Sequence, residues 1–249
     1  MPAQGEPTVT LLLRHGQTPM SVEKRYAGRT DVPLTDTGVR QAVAAAKRLA
    51  SAGIGAIVSS PLQRAVQTAE EVAAVTGAPV VTDDGFRETD FGVWEGLTFA
   101  EVRQRWPDEM TAWLADPQVA PPDGESFAEV SERVTAALHR VLADRERQTV
   151  LIVSHVTPIK TLVAAALLAP PPSLYRMHLD VAALCEIDWY ADGPAVLRSF
   201  NDTAHLHDLS AVGAEAPETA EGRRVNDSRI PGEGFTPGLG YRRWPRPLS

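Results

Sequence analysis

The clearest pattern along the chain is three short apolar runs, each followed directly by polar residues. The runs cover residues 8–13, 56–59 and 149–153. Segments that are apolar on both faces are typical of buried parallel strands. We therefore predict three strands of one sheet, each ending at a polar turn.

Between these runs, apolar residues recur at helical spacing and the segments carry helix start and stop signals. One segment begins at Thr35 and ends at Gly53, and the next begins at Ser60-Pro61 and ends at Gly77. Hydroxyl side chains and proline are typical of the first residues of a helix, and glycine is typical of the residue that follows one. The pattern predicts one helix before the second strand and one after it.

The middle of the chain carries further helix signals. Thr98 and Ser126 each stand three residues before a glutamate, and this spacing is that of a capping box at the start of a helix. Another helix is predicted to begin at Thr157 and to run to the three prolines at 170–172.

Strand and helix patterns alternate through most of the chain, which predicts an α/β sandwich with a mainly parallel sheet. Residues 181–190 and 195–200 predict a hairpin at an edge of that sheet. We expect one domain over residues 1–206, with a short cap around 94–126. Residues 207–249 are rich in Gly, Pro, Arg and Glu with little periodicity, which predicts a disordered or loosely packed tail.

The composition of the chain limits the kinds of partner and the cellular compartment that we expect. Lys and Arg number 24 against 32 Asp and Glu, and the net charge of −8 disfavours nucleic acid and acidic membranes as partners. The single cysteine, Cys185, excludes an intramolecular disulfide, and no paired Cys/His spacing predicts structural zinc. Without a leader pattern or an apolar run long enough for a membrane, the cytoplasm is the expected location.

Four side chains suited to phosphate lie near the predicted carboxyl ends of the strands. Arg14 and His15 end the first strand, Arg64 lies early in the helix after the second, and His155 ends the third. This edge of an open α/β sheet binds ligands, and guanidinium groups beside a helix N-terminus suit a phosphate dianion. Each residue alone also has a structural explanation, as a strand-end histidine, a surface arginine or a helix cap.

Six motifs carry a resemblance to a known family. They are LRHGQT (13–18), LTDTG (34–38), SSPLQRAVQTA (59–69), ETDFGVWEG (88–96), PDGES (122–126) and VSH (153–155). Over roughly residues 8–206 and in this order, they resemble the histidine phosphatase superfamily, the phosphoglycerate-mutase-like enzymes. The resemblance implies a three-layer α/β/α sandwich of the phosphoglycerate-mutase-like type.

The resemblance also implies roles for individual residues. His15 is the expected nucleophile, which becomes phosphohistidine, while Arg14, Arg64 and His155 hold the phosphoryl oxygens. Glu88 is the expected proton donor, since an alkoxide is a poor leaving group without a general acid. Arginine charges can stabilise the transferring phosphoryl group, so neither a metal nor another cofactor is expected.

A secondary set of substrate-binding residues is predicted on the loop after the first strand. Gln17 and Thr18 offer an amide and a hydroxyl there, and Ser21 follows three residues later. Ser21 stands where the mutases that the chain resembles have asparagine, which weakens the transfer of that one contact.

The spacing of the motifs favours hydrolysis over mutase activity. His155 follows Glu88 by only 67 positions, whereas the resemblance implies a longer basic insertion for a mutase. The aromatic side chains in this interval either line a pocket for a larger leaving group or pack the cap; they include Trp94, Phe99, Trp106 and Trp113. Residues 91–98 and the short cap resemble the alpha-ribazole phosphatase branch. We therefore expect a phosphatase for a small phosphorylated metabolite, either of that kind or a broad-specificity acid phosphatase. The alternatives are a phosphoglycerate mutase and a non-catalytic phosphate-binding module.

Two further motifs bear on partners. SHVTPIK (154–160) and YRMHLD (175–180) resemble the phosphatase domain that follows ribonuclease H in some bacterial bifunctional proteins. A separate ribonuclease H subunit is therefore one protein partner to consider beside the phosphorylated substrate, and a homodimer is the other.

Overall fold

A computed structural model describes residues 5–212 of the chain. Six strands form one sheet in the order β3-β2-β4-β1-β5-β6. The strands are β1 (Thr8–Arg14), β2 (Ile54–Ser59), β3 (Val80–Thr82), β4 (Thr149–Ser154), β5 (Leu184–Trp189) and β6 (Ala195–Asp202). The four strands β3, β2, β4 and β1 are parallel, and β5 and β6 are antiparallel to their neighbours.

Eight helices accompany the sheet in the described part of the chain. They are α1 (Pro19–Val22), α2 (Asp36–Leu49), α3 (Gln63–Thr76), α4 (Phe99–Arg105), α5 (Pro107–Ala115), α6 (Phe127–Asp144), α7 (Val156–Ala166) and α8 (His207–Val212). Short 3-10 turns cover Asp84–Phe86, Gly92–Trp94, Pro171–Arg176 and Ala204–Leu206.

Alternate residues of the central strands face two separate cores. Leu12 and Ile152 pack with α6 and α7 on one face, while Leu13 and Val153 pack with α2 and α3 on the other. Side chains one residue apart on a strand point to opposite faces, so a strand that is apolar throughout needs helices on both sides. The predicted three-layer α/β/α sandwich is confirmed.

The predicted caps lie at the starts of their helices. Thr35 caps α2, and Thr98 and Ser126 form reciprocal capping boxes with the glutamates three residues on. Gly77 follows α3 with a φ of 71°, a left-handed conformation that glycine adopts without strain.

Two helix boundaries differ from the sequence-based expectation. α3 begins at Gln63, two residues after Pro61. α7 ends at Ala166, well before the prolines at 170–172, because Leu168 takes a left-handed φ of 50° and the Leu168 and Ala169 amides fold back onto α7 carbonyls. The sequence analysis also misses β3, since its three residues are too few to carry a pattern and two of them are exposed.

A third core consists mainly of aromatic side chains. This aromatic cluster comprises Phe91, Trp94, Val102, Met110, Trp113 and Phe127. Trp94 is fully buried, and its ring meets Trp113 edge-on with centroids 5.5 Å apart. The sequence left open whether the aromatic residues line a pocket or pack the cap. In the structure, Trp94 and Trp113 pack against each other.

Several predictions concern the ends of the chain and its surroundings. The predicted tail starts at 207 and its first residues form α8, whereas residues 213–249 lie outside the described part of the chain. Within residues 5–212, no helix combines the length and apolar character that a membrane crossing requires.

Candidate active site

Strand order brings the predicted phosphate ligands to one edge of the sheet. β4 lies between β1 and β2, and Arg14 at the end of β1 pairs in register with Ser154 at the end of β4. The next residue on each strand is a histidine, so His15 and His155 lie side by side with ring centroids 5.0 Å apart. α3, which follows β2, carries Arg64 into the same region.

His15 is held in one tautomer. Its Nδ1 lies 2.7 Å from the Gly16 carbonyl oxygen, which can only accept a hydrogen bond, so Nδ1 carries the proton and Nε2 keeps its lone pair. Burial, followed by the charges of Arg64 and Arg14, lowers the pKa of His15 well below its ordinary value. The ring is therefore neutral and nucleophilic at neutral pH.

The backbone at Gly16 approaches another element too closely for a side chain. A Cβ atom there would lie 2.4 Å from the carbonyl oxygen of Gly38, near the start of α2. The Gly16 amide also donates to Thr68 of α3, at 3.2 Å. These contacts fix the loop that follows His15.

Arg14 and Arg64 are anchored by backbone carbonyls. Arg14 Nη1 donates to Leu179 O at 2.7 Å, and its buried Nε has no partner among the described residues. Burial lowers the pKa of Arg14 to about 10, which leaves it charged at neutral pH. Arg64 is 1% exposed, and its guanidinium donates to the carbonyls of residues 27, 28 and 30, each at 2.9 Å.

His155 is fully buried and does not cap the helix that follows it. Its Nε2 lies 2.7 Å from Ser60 Oγ, and its Nδ1 has no partner within residues 5–212. Although His155 occupies the N-cap position of α7, its side chain makes no capping hydrogen bond. Burial, then the charge of Arg64, lowers its pKa well below the ordinary value. A buried ring nitrogen without a partner is suited to a phosphoryl oxygen.

Glu88 lies at the N-terminus of α7, next to His155. Its Oε1 accepts hydrogen bonds from the Thr89 amide at 2.9 Å and the Thr157 amide at 3.2 Å. The side chain is 6% exposed, so the surface carboxylate that its sequence position alone allowed is not what the structure has. Two backbone N–H groups therefore hold the Glu88 carboxylate in place beside His155.

Arg133 of α6 holds the segment that carries Glu88, and sequence reasoning missed it. The Arg133 guanidinium donates to the backbone carbonyls of Gly85, Arg87 and Glu88 at 2.8 to 3.0 Å, and it pairs with Glu125 at 2.6 Å. A signal was present, because Arg133 lies next to the buried residues 130, 134 and 137 on the core-facing side of the helix.

Glu95 plays the equivalent part for Arg64 and was also missed. Its carboxylate accepts from the amides of Arg29 at 2.5 Å and Thr30 at 2.8 Å. The loop at 27–30 thus turns amides towards Glu95 and carbonyls towards Arg64. Gly28 is required there, because a Cβ would lie 2.2 Å from Thr89 O.

The predicted secondary substrate-binding residues make hydrogen bonds to other groups of the protein. Thr18 and Ser21 form a reciprocal capping box at the start of α1, and Gln17 Oε1 accepts from the Thr35 hydroxyl at 2.9 Å. Their assignment to substrate binding stays a prediction, as do the roles of the central residues.

Comparisons with known proteins agree with this geometry. A family model described as the histidine phosphatase superfamily (branch 1) matches residues 10–203. The bifunctional protein Rv2228c of Mycobacterium tuberculosis is 51% identical over 205 residues, which cover 82% of this chain and 56% of that protein. The chain thus spans little more than half the length of this relative. A probable phosphoglycerate mutase GpmB of Proteus mirabilis is 36% identical over 207 residues, 80% of this chain and 95% of that one.

Solved phosphatase structures have the same fold. The mycobacterial glucosyl-3-phosphoglycerate phosphatase Rv2419c matches with a TM-score of 0.73 and 32% identity, over 79% of this chain and 100% of that one. A putative alpha-ribazole-5'-P phosphatase from Escherichia coli matches with a TM-score of 0.72 and 28% identity, over 79% and 97%. The chain therefore belongs to the histidine phosphatase superfamily, branch 1.

Proposed function

We propose that this chain hydrolyses phosphomonoesters through a phosphohistidine at His15, without a metal. The observation that carries the proposal is the buried pair of His15 and His155, with ring centroids 5.0 Å apart, beside the carbonyl-anchored Arg64. A phosphate dianion placed there gains opposite charge and buried hydrogen-bond donors at once.

The first step breaks the ester bond. His15 Nε2 attacks phosphorus, and Arg14, Arg64 and His155 donate to the phosphoryl oxygens as charge moves onto them. Glu88 gives its proton to the leaving oxygen, so the products are an alcohol, ionised Glu88 and phospho-His15.

The second step restores the enzyme. Glu88, now ionised, takes a proton from water, and the water oxygen forms a bond to phosphorus while the bond to His15 breaks. Inorganic phosphate leaves, and Glu88 is again protonated. The fixed arginine charges supply the stabilisation that a metal gives in other phosphoryl-transfer sites.

The substrate that we propose is a small phosphorylated metabolite, with alpha-ribazole phosphate and sugar phosphates as the first compounds to test. Similarity to solved phosphatases supports hydrolysis over phosphoryl return to the substrate. The mutase alternative keeps support from the relative named a probable phosphoglycerate mutase. It predicts isomerisation of a phosphoglycerate in a coupled assay primed with a bisphosphoglycerate.

The direct test is hydrolysis of an aryl phosphate in chelator between pH 4 and 8. We expect turnover to persist below pH 6.5, because the lowered pKa of His15 keeps the free ring neutral there. Quenched reactions should contain an acid-labile, alkali-stable phosphoenzyme. Turnover that needs a metal contradicts the mechanism, and primed isomerisation without hydrolysis supports the mutase alternative. Phosphate binding without either reaction supports the non-catalytic module.

Replacing Glu95 by glutamine tests how Arg64 is positioned. Glutamine keeps one acceptor oxygen but loses the charge and the second acceptor for the loop at 27–30. We expect kcat/KM to fall about 10-fold and inhibition by vanadate, which resembles the transition state, to weaken by a similar factor. The matched control is Glu70→Gln, an exposed position on α3, which should change neither quantity. A fall in melting temperature without weaker vanadate inhibition argues against positioning.

A further inference from the structure

Lys160 is a cation beside the proposed site that the mechanism does not use. It lies on α7, three residues after Thr157, whose amide donates to Glu88. Residues three apart on a helix share a face. Lys160 is therefore about one turn along α7 from the amide that binds the proposed proton donor.

The surroundings of Lys160 leave its charge without an opposite partner. The side chain is half-buried, and Nζ donates to the Leu174 carbonyl at 3.2 Å. Among residues 5–212, no carboxylate lies within ion-pair distance of Nζ. Burial, then the charge of Arg14, lowers the pKa of Lys160 to about 8, while Glu88 opposes that shift. At neutral pH the group remains an ammonium, and a partly buried ammonium without an anion is costly.

Leu174, which accepts the hydrogen bond from Lys160, identifies the part of the structure next to the ammonium. Leu174 belongs to the 3-10 turn Pro171–Arg176 and packs against the aromatic cluster defined above. Lys160 therefore contacts the turn that borders the aromatic cluster, and it is close enough to Glu88 for that carboxylate to affect its pKa. Because Glu88 protonates the leaving oxygen, the leaving group of a substrate extends on this side of the phosphoryl group.

We infer that Lys160 binds a second anionic group on the leaving portion of the substrate, and so selects phosphomonoesters that carry a carboxylate or a second phosphate. The inference rests on the proposed hydrolysis, since it places the leaving group by the role of Glu88. An anion there gains a charge-assisted hydrogen bond and removes the cost of an unpaired buried ammonium.

The test compares three substrates on one scaffold. Glycerol 3-phosphate lacks a second anion, 3-phosphoglycerate has a carboxylate and glycerol 1,3-bisphosphate has a second phosphate. We expect the unmodified protein to prefer one or both of the last two in kcat/KM. Lys160→Met should lower kcat/KM for the preferred substrate about 10-fold or more, mainly through KM, and leave glycerol 3-phosphate within about 2-fold. Lys160→Arg should retain the preference, and Lys47→Met, on the exposed face of α2, is the control.

Outcomes against the inference are distinct from failure of the proposed hydrolysis. Equal losses for all three substrates in Lys160→Met mean that Lys160 only ties α7 to Leu174, and an unmodified protein without any preference also overturns the inference. If no substrate is turned over, the hydrolysis proposal fails, and calorimetric binding of the same three compounds decides the role of Lys160. If the compounds with a second anion bind more tightly than glycerol 3-phosphate and Lys160→Met abolishes that difference, the inference is supported. If the substitution leaves their binding unchanged, the inference is overturned.

Discussion

Replacing His15 by alanine is expected to lower turnover of every phosphomonoester by at least about 10⁴-fold, the scale seen when a covalent nucleophile is removed. The two neighbouring arginines and His155 still bind the phosphoryl group, and the ring nitrogen of His155 that has no partner among residues 5–212 is the one assigned to that hydrogen bond. That nitrogen is Nδ1 of a ring whose Nε2 is already bonded to Ser60. Substrate is therefore expected to bind without reacting.

The measurement is steady-state hydrolysis of an aryl phosphate, together with trapping of the phosphoenzyme. His15→Asn is the companion variant, because its side-chain amide can still donate to the Gly16 carbonyl that accepts from Nδ1. Both variants should lose the trapped phosphate, and His139→Ala, at an exposed position of α6, should keep it. Turnover that survives in His15→Ala and His15→Asn assigns the nucleophile to another residue.

The position of the site was predictable because strand ends are visible in a sequence. Arg14-His15 and Ser154-His155 directly follow apolar runs, and the carboxyl ends of neighbouring parallel strands meet at one edge. Arg64 was predictable for a related reason, since it lies in the first turn of the helix that follows β2. These inferences need only the local pattern and the order of the elements.

The residues that hold the site in place were not predictable in the same way. Glu95 acts on a loop more than sixty positions earlier in the chain, and Arg133 holds carbonyls 45 to 48 positions away. Their partners are backbone groups, which every residue has, so no residue type in the loop signals the contact. For Lys160 the sequence favours a different interpretation, because a lysine inside a helix usually extends its ammonium to solvent, and the lack of a nearby carboxylate is visible only in three dimensions.

The aromatic residues illustrate a limit of composition as evidence. A sequence rich in tryptophan near a site suits both a ligand pocket and a small separate core. Trp94 and Trp113 meet each other and bury their rings, so their apolar area stabilises the segment that carries Glu95. These two rings are therefore part of a core rather than the lining of a pocket.

Replacing Glu88 by glutamine is expected to slow the release of an alcohol by about 10² to 10⁴-fold, the usual range for a general acid. An activated phenol such as 4-nitrophenol leaves without a proton, so its release in the first turnover should fall far less. Glutamine has nearly the same shape and keeps an oxygen that can accept from the Thr89 and Thr157 amides. Arg133 donates to the backbone carbonyl of residue 88, so a change of the side chain leaves this hydrogen bond in place.

The second step gives this variant a specific kinetic signature. Without a carboxylate, no group at position 88 takes the proton from water, so hydrolysis of phospho-His15 should also be slow. We expect a rapid burst of 4-nitrophenol equal to the enzyme concentration, followed by slow turnover and accumulated phosphoenzyme. Stopped-flow absorbance measures the burst. The control is Glu132→Gln, on the exposed side of α6, which should show no such burst. Equal losses for alkyl and nitrophenyl phosphates in the first turnover would remove Glu88 from the acid role, because only a proton donor distinguishes the two leaving groups.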